Sequence, residues 1–266
     1  MTTMPIPERT KKEISTILID AVRSKIQNYK PETEHKPFHY SLLGRDRYAL
    51  FSFIQSMNTT FGMSIWEQIS VALSRGAGYT SAKGSKLLGT IDPETETLIQ
   101  GINIELRSGS RVSDKQQEVE MIRASILPGV SQKDPDSVVD FSINIPLEHG
   151  GFQENFIDIT SVKPNMKEFA ALKLKLLRWT ALKLSQDSTA NVFTRIAIPY
   201  NPYHPNPYER WTLHGLYDLN AGEVLVGEEY WNFVGGGEVY SELVEIFEET
   251  GRLLRDEIDE KFAEFL

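Results

Sequence analysis

The chain has 266 residues, 40% hydrophobic, 10% aromatic and 24% charged, a globular composition long enough for one large α/β domain or two smaller ones. It contains no cysteine, which excludes disulfides, thiolate metal sites and cysteine nucleophiles. Its net charge of −9, taken as an average, argues against a general binder of nucleic acid or anionic membranes.

The N-terminal stretch MTTMPIPERTKKE has no apolar signal region, and no apolar run approaches ~18 residues. The expectation is a soluble cytoplasmic protein with no membrane partner. From Glu8 to Tyr29, the residues Ile14, Leu18, Val22, Ile26 and Tyr29 recur on one helical face. After the polar stretch Lys30 to Lys36, a second helical pattern covers Arg45 to Met57. The run Asn58 to Gly62 reads as a break, and Ser64 with Glu67 has capping-box spacing for a new helix. That helix fades near Gly76-Ala77-Gly78.

In the middle of the chain Ile102, Ile104 and Leu106 alternate with polar residues, as in a half-buried strand. A polar turn, Arg107 to Arg111, leads to a short helix from about Ser113 to before Pro128. Val138 to Ile145 and Phe156 to Thr160 read as strands, separated by the turn-rich Glu148-His149-Gly150-Gly151. A basic helix follows, with Pro164 near its start, and Val192 to Ile198 is another β-branched strand. Strand, strand, helix, strand predicts an α/β sheet with a crossover helix. Tyr240, Leu243, Val244, Phe247, Leu254, Ile258 and Phe262 predict one long amphipathic C-terminal helix. The chain thus reads as a single domain over 1–266, with a helical region (1–80), an α/β core (95–220) and an acidic helical segment (221–266).

Charge is unevenly placed along this order. Gly222 to Leu266 carries thirteen carboxylates against Arg252, Arg255 and Lys261, a local −10, so the first 221 residues carry +1. Lys163 to Lys183 holds Lys163, Lys167, Lys173, Lys175, Arg178 and Lys183 against Glu168, a local +5. The ordinary reading of each is a solvated helix face, and the basic stretch also permits a polyanion partner. Lysines there would position a duplex through its phosphates without reading sequence, while Phe169, Leu172, Leu176 and Trp179 read as core. The acidic total disfavours indiscriminate DNA binding only.

Asp140 and Asp158 carry the chemistry this sequence suggests. Each lies within a strand, and Asp158 faces away from Ile157 and Ile159 because strand side chains alternate. Two aspartates on paired strands suit a hard divalent cation such as Mg²⁺, which stabilises the oxygens of a transferring phosphate. A nearby lysine would stabilise developing charge or orient the nucleophile, and Lys163 is the candidate. Asp…Asp-x-[Lys] is the pattern of PD-(D/E)xK nucleases and is weak alone.

Longer motifs carry a resemblance. They are Phe38-His39-Tyr40, Ser52 to Thr59 with Gly62 to Ile69, Ile157 to Asn165, and Gly227 to Gly236. In this order the chain resembles the TdeIII-type family of type II restriction endonucleases from about residue 37 to 260. The resemblance implies a restriction-endonuclease-like mixed central sheet flanked by helices. It also implies Mg²⁺-dependent cleavage of double-stranded DNA at a short GC-containing palindrome, leaving a 5′-phosphate. A homodimer and a cognate DNA methyltransferase as functional companion go with it.

One position departs from the pattern: where lysine is expected two residues after the second acid, the chain has Thr160. Three readings stay open. Lys163 reaches the site because the strand ends or bulges near Ser161; or the register is Ser161-Val162-Lys163, with Glu168 supplying the missing acid; or the nuclease is weak or inactive, a non-catalytic DNA-binding protein on the same fold. The first makes Asp140 and Asp158 the metal ligands and Lys163 the catalytic lysine.

Other residues fit less well. Glu118 and Glu120 are candidates for an extra metal carboxylate but read as solvated. Asp136 falls in a polar loop. His149 and His204 lack a second histidine at ligand spacing. Gly235-Gly236-Gly237 lacks the Lys-Ser or Lys-Thr of a phosphate loop and reads as a turn. The rigid aromatic run Tyr200 to Trp211 has two readings, contact with a DNA groove or packing over a sheet edge, and the second is preferred.

Overall fold

A computed structural model describes residues 5–29, 37–127, 137–210, 213 and 215–264. The expected polar stretch Lys30 to Lys36, and Pro128, Asp136 and Trp211, lie outside the described residues. Two compact units make up the chain: Met1–Gly76 with Gly235–Leu266, and Ala77–Val234. The N-terminal helical region therefore shares a unit with the acidic segment from Gly235 onward, while the start of that segment, with Glu223, Glu228 and Glu229, belongs to the second unit.

The first unit is helical. α1 (Glu8–Asn28) buries Ile14 and Leu18, as the apolar spacing requires. α2 (Pro37–Leu43) precedes α3 (Arg45–Thr60). The expected break at Asn58 to Gly62 does not occur. Thr59 and Thr60 donate their hydroxyls back to the carbonyls of Gln55 and Ser56 at 3.1 and 3.0 Å, so these polar side chains stay compatible with the helix. The chain then passes through a π-helical turn, Phe61–Ile65, into α4 (Trp66–Gly76). Ser64 lies inside that turn, so no capping box forms there. The wider turn sets the Phe61 ring 5.0 Å from Trp66 and 6.4 Å from Phe247.

The expected single C-terminal helix is two, α9 (Tyr240–Leu253) and α10 (Arg255–Ala263), which meet at the buried Leu254. Part of their negative charge faces bases of α1. Lys11 lies 3.0 Å from Glu242, and Arg23 lies 2.7 Å from Glu257.

The second unit is built on a mixed sheet of β1 (Thr80–Lys86), β2 (Val138–Pro146), β3 (Phe152–Ile159), β4 (Val192–Ile198) and β5 (Val224–Val226). The spatial order is β1-β2-β3-β4-β5. β1 to β3 pair antiparallel, while β3, β4 and β5 run parallel. The β2–β3 hairpin closes through Gly150 and Gly151, whose φ values of 89° and 79° suit glycine. Between β3 and β4 runs the crossover helix α7 (Met166–Gln186). Together these bear out a restriction-endonuclease-like mixed central sheet flanked by helices.

The stretch expected as a strand around Ile102 to Leu106 is instead α5 (Pro93–Ser108). Asp92 caps it, Pro93 occupies its first turn, and Gly109 ends it at φ 74°. Its buried positions, Thr95, Ile99, Ile102, Asn103 and Leu106, follow the helical period. α6 (Lys115–Ser125) matches the expected short helix. Ile99, Ile102 and Leu106 of α5, Ile122 of α6, and Phe169, Leu176, Trp179 and Leu182 of α7 share one core with Phe156 and Ile196 of the sheet.

The segment after β1 fixes the far half of α7. A Cβ on Gly89 would sit 1.7 Å from the Leu182 carbonyl oxygen, and the Thr90 N–H donates to Ser185 Oγ at 2.9 Å. At the other edge, α8 (Glu228–Gly235) anchors through Trp231, whose indole N–H donates to the Pro199 carbonyl at 2.8 Å. Among the described residues, no helix is long and apolar enough to cross a membrane.

Candidate active site

The register of the β2–β3 pair aligns Phe141 with Ile157 and Ser142 with Phe156. The next cross-strand position brings Asp140 opposite Asp158, on the face that alternation assigns to both. Asp140 Oδ2 accepts the Ile159 N–H at 2.9 Å. Asp158, 7% exposed at its side chain, is ion-paired through Oδ2 with Lys175 of α7. Burial pushes the Asp140 carboxyl above the usual range, and the charge of Asp158 adds to it. The Lys175 ammonium and the Ile159 N–H oppose the shift. Two carboxylates thus share one partly closed corner with one cation.

Lys163 is not that cation. Its ammonium lies over the Tyr203 ring, 5.1 Å from the centroid, on an exposed turn. The Thr160 N–H still bonds to the Ala197 carbonyl at 2.9 Å, so β3 keeps its pairing to that point. Ser161 is exposed beyond it. Glu168 is engaged in the cap of α7: its Oε2 accepts the Asn165 N–H at 2.7 Å, while Asn165 Oδ1 accepts from Glu168 N–H at 3.0 Å. The structure brings Asp140 and Asp158 together and places Lys163, Ser161 and Glu168 outside their contacts.

Lys175 escaped the sequence reading, which grouped it with a basic helix face. That face turns inward. Lys173 is fully buried, 2.7 Å from Glu118 and 2.8 Å from Glu223. Arg178 meets Glu96 at 2.6 Å and Lys183 meets Glu154 at 2.8 Å. Of the cations counted there, Lys163 and Lys167 are the exposed ones.

The expectation that Glu118 is solvated is also corrected: it is buried against Lys173, while Glu120 is a surface residue beside Arg123. Lys115 completes the buried group, 3.1 Å from Glu223 and 2.6 Å from Thr194 Oγ1. Burial alone would raise the Glu223 carboxyl, but Lys115 and Lys173 outweigh it and hold it below the usual range. The Tyr217 hydroxyl, which donates to the Phe169 carbonyl at 2.6 Å, is pushed well up by burial and by the charges of Glu223 and Asp158.

Among the described residues, no cluster of three or more histidines or acids could hold a metal. His149 and His204 are exposed, as expected. Two carboxylates still suit Mg²⁺, which keeps most of its waters and needs one or two protein acids. Each aspartate gives one oxygen to the chain, Asp140 to the Ile159 N–H and Asp158 to Lys175, and its second oxygen is the atom that would hold a cation. A cation there would also offset the like-charge repulsion that raises Asp140.

Comparison with known proteins gives a consistent family. The model of the family described as type II restriction endonuclease, HinfI, matches residues 6–251. The type II restriction enzyme HgiCII of Herpetosiphon aurantiacus is 25% identical over 229 residues, covering 85% of this chain and 81% of the relative. HgiBI of the same organism is 27% identical over 238 residues, covering 86% and 82%. MjaII of Methanocaldococcus jannaschii is 24% identical over 287 residues, covering 97% and 74%. With the match spanning nearly the whole chain and both aspartates, this protein belongs to the HinfI family of type II restriction endonucleases, which are site-specific DNA-cleaving hydrolases.

Proposed function

We propose that this endonuclease is Mg²⁺-dependent and that Asp140 and Asp158 hold the metal in a PD-(D/E)xK-type site, within the TdeIII-type group that its motifs resemble. The observation that carries this is the cross-strand meeting of the two aspartates, eighteen positions apart in sequence, beside a lysine. Bound there, Mg²⁺ supplies Lewis-acid charge at the scissile phosphate. The chain's own part is to hold the two carboxylates at a fixed separation on a paired ladder and to keep one side of them dry. Double-stranded DNA with a short palindromic site is the substrate, and a homodimer reads it most simply because a two-fold site suits a two-fold protein. Such an enzyme works in the cytoplasm beside a methyltransferase that protects the host's own sites.

Purified protein incubated with plasmid and with unrelated genomic DNA tests this, with Mg²⁺ or with chelator. Discrete fragments that need Mg²⁺ and vanish in Asp140→Ala and Asp158→Ala are expected. Normal cutting by both variants would overturn the site. Thr160, the departure from the pattern, motivates a second reading as a non-catalytic DNA-binding protein; retention of one DNA sequence without cutting favours that.

A further inference from the structure

We propose that Lys175, carried on the crossover helix α7, is the catalytic lysine of this nuclease, replacing the strand lysine that Thr160 lacks. The proposal rests on Asp140 and Asp158 being the metal-holding pair.

Position 160 lies on the Asp158 face by the two-residue period of a strand, and a threonine there offers no cation. Lys175 supplies one from above. α7 runs back over β3, so its residues meet the strand in reverse order: Lys175 pairs with Asp158, and Lys183 pairs with Glu154. Eight helical residues span about 12 Å, and four strand residues span about 13 Å. The two rungs therefore lock one register, so the place of Lys175 does not rest on a single flexible side chain. Trp179, one turn along and fully buried, lies under the Lys175 ammonium at 4.9 Å from its ring centroid.

The neighbouring cations have other partners. Lys173 is enclosed with Glu118 and Glu223, Arg178 is paired with Glu96, and Lys163 lies over Tyr203. Lys175 is 26% exposed at its side chain, so a phosphate can reach it, whereas Lys173 is 0% exposed. Its charge also opposes the rise of the Asp140 carboxyl, so both acids feel this cation.

In the hydrolysis a water oxygen forms a bond to phosphorus as the P–O3′ bond breaks. The attacking water gives its proton to solvent water, and the departing 3′ oxygen takes one from solvent, leaving a 5′-phosphate and a 3′-hydroxyl. Lys175 remains an ammonium throughout. Its role is to face the extra negative charge on the phosphoryl oxygens in the transition state, where a fixed cation acts without reorganising.

The absence of native cysteine provides the test. Lys175→Cys introduces a single thiol, and alkylation with 2-bromoethylamine, expelling bromide, rebuilds a lysine-like side chain at that position alone. The readouts are single-turnover cleavage of a cognate duplex with Mg²⁺, binding of the same duplex with Ca²⁺, and thermal melting. Lys175→Cys is expected to cleave roughly 10²–10³-fold more slowly with duplex binding nearly unchanged, and aminoethylation is expected to recover most of the rate. Lys175→Met, which keeps the stem on Trp179, is read alongside so that a loosened helix does not decide the result. Wild-type cleavage by either variant overturns the proposal. So does an aminoethylated protein that melts like wild type yet stays as slow as Lys175→Cys. Asp140→Ala separates the two levels: if it cuts, the metal pair is wrong; if it is dead while Lys175→Met cuts, only the lysine is wrong.

Discussion

Lys183 meets Glu154 at 2.8 Å two helical turns along α7 from the contact between Lys175 and Asp158. The pair is itself partly exposed, 18% and 24%, so its direct contribution to stability is small, about 0–1 kcal/mol. Its importance is geometric, because it fixes where α7 lies along β3. Glu154→Gln and Lys183→Met should leave the urea midpoint almost unmoved and slow single-turnover cleavage several-fold. Adding the second substitution to the first should change the rate little more, because either alone breaks the rung. Additive losses in the rate would count against a shared positioning role.

Asp140 and Asp158 illustrate the cost of holding two carboxylates together on one buried face. Burial and the facing carboxylate raise Asp140 above its ordinary range, so its ionised form destabilises the folded chain near neutral pH. Asp140→Asn removes the charge and keeps an oxygen for the Ile159 N–H. It should raise the melting temperature, by about 2–4 °C per kcal/mol relieved, and lower cleavage by about 10²-fold or more. A variant that is both inactive and less stable would mean that the carboxylate is structural.

Lys163 and Lys167 are the cations of the basic stretch that remain turned to solvent. They suit phosphate contacts, which set affinity and leave sequence choice to other groups. Lys163→Ala should weaken binding of cognate and non-cognate duplex alike and reduce the slope of log K against log salt by roughly 1. Cleavage at saturating DNA should persist. Its loss there would return Lys163 to the catalytic role first expected from sequence.

How much of this was legible beforehand depended on whether the signal was local. The strands bearing Asp140 and Asp158 carry alternating apolar residues and were readable, as was the helix between β3 and β4. β1, Thr80–Lys86, was not, since its sequence TSAKGSK offers alanine as its one apolar residue and its strand form comes from pairing with β2. α5 misled because Ile102, Ile104 and Leu106 alternate; Ile104 is 61% exposed, and the caps Asp92 and Gly109 were the better guide. Lys175 lay hidden for a deeper reason. Its partner is seventeen residues earlier on another element, and only the reversed run of helix over strand reveals the match. One trace was present in the sequence: acids at 154 and 158 and lysines at 183 and 175 fit a helix lying antiparallel on a strand.

Asp92 joins sequence, cap and pH in one residue. Burial alone would raise its carboxyl. The Thr95 hydroxyl at 2.7 Å and the N–H groups of Thr95, Leu127 and Glu94 at 2.9, 3.2 and 3.0 Å outweigh burial and hold it below the usual range. A carboxyl lowered on folding contributes stability above its unfolded value, about 3.9, and loses that contribution as pH falls through the folded value. Asp92→Asn keeps an acceptor oxygen and removes the titration. Its amide group replaces the oxygen that accepts from the Thr95 hydroxyl and the Leu127 N–H, so it should cost about 1–3 kcal/mol at pH 7, measured by urea unfolding. The gap from wild type should narrow on acidification below about pH 4. A gap that stays constant down to pH 3 would show that shape, and not charge, is what Asp92 supplies to α5.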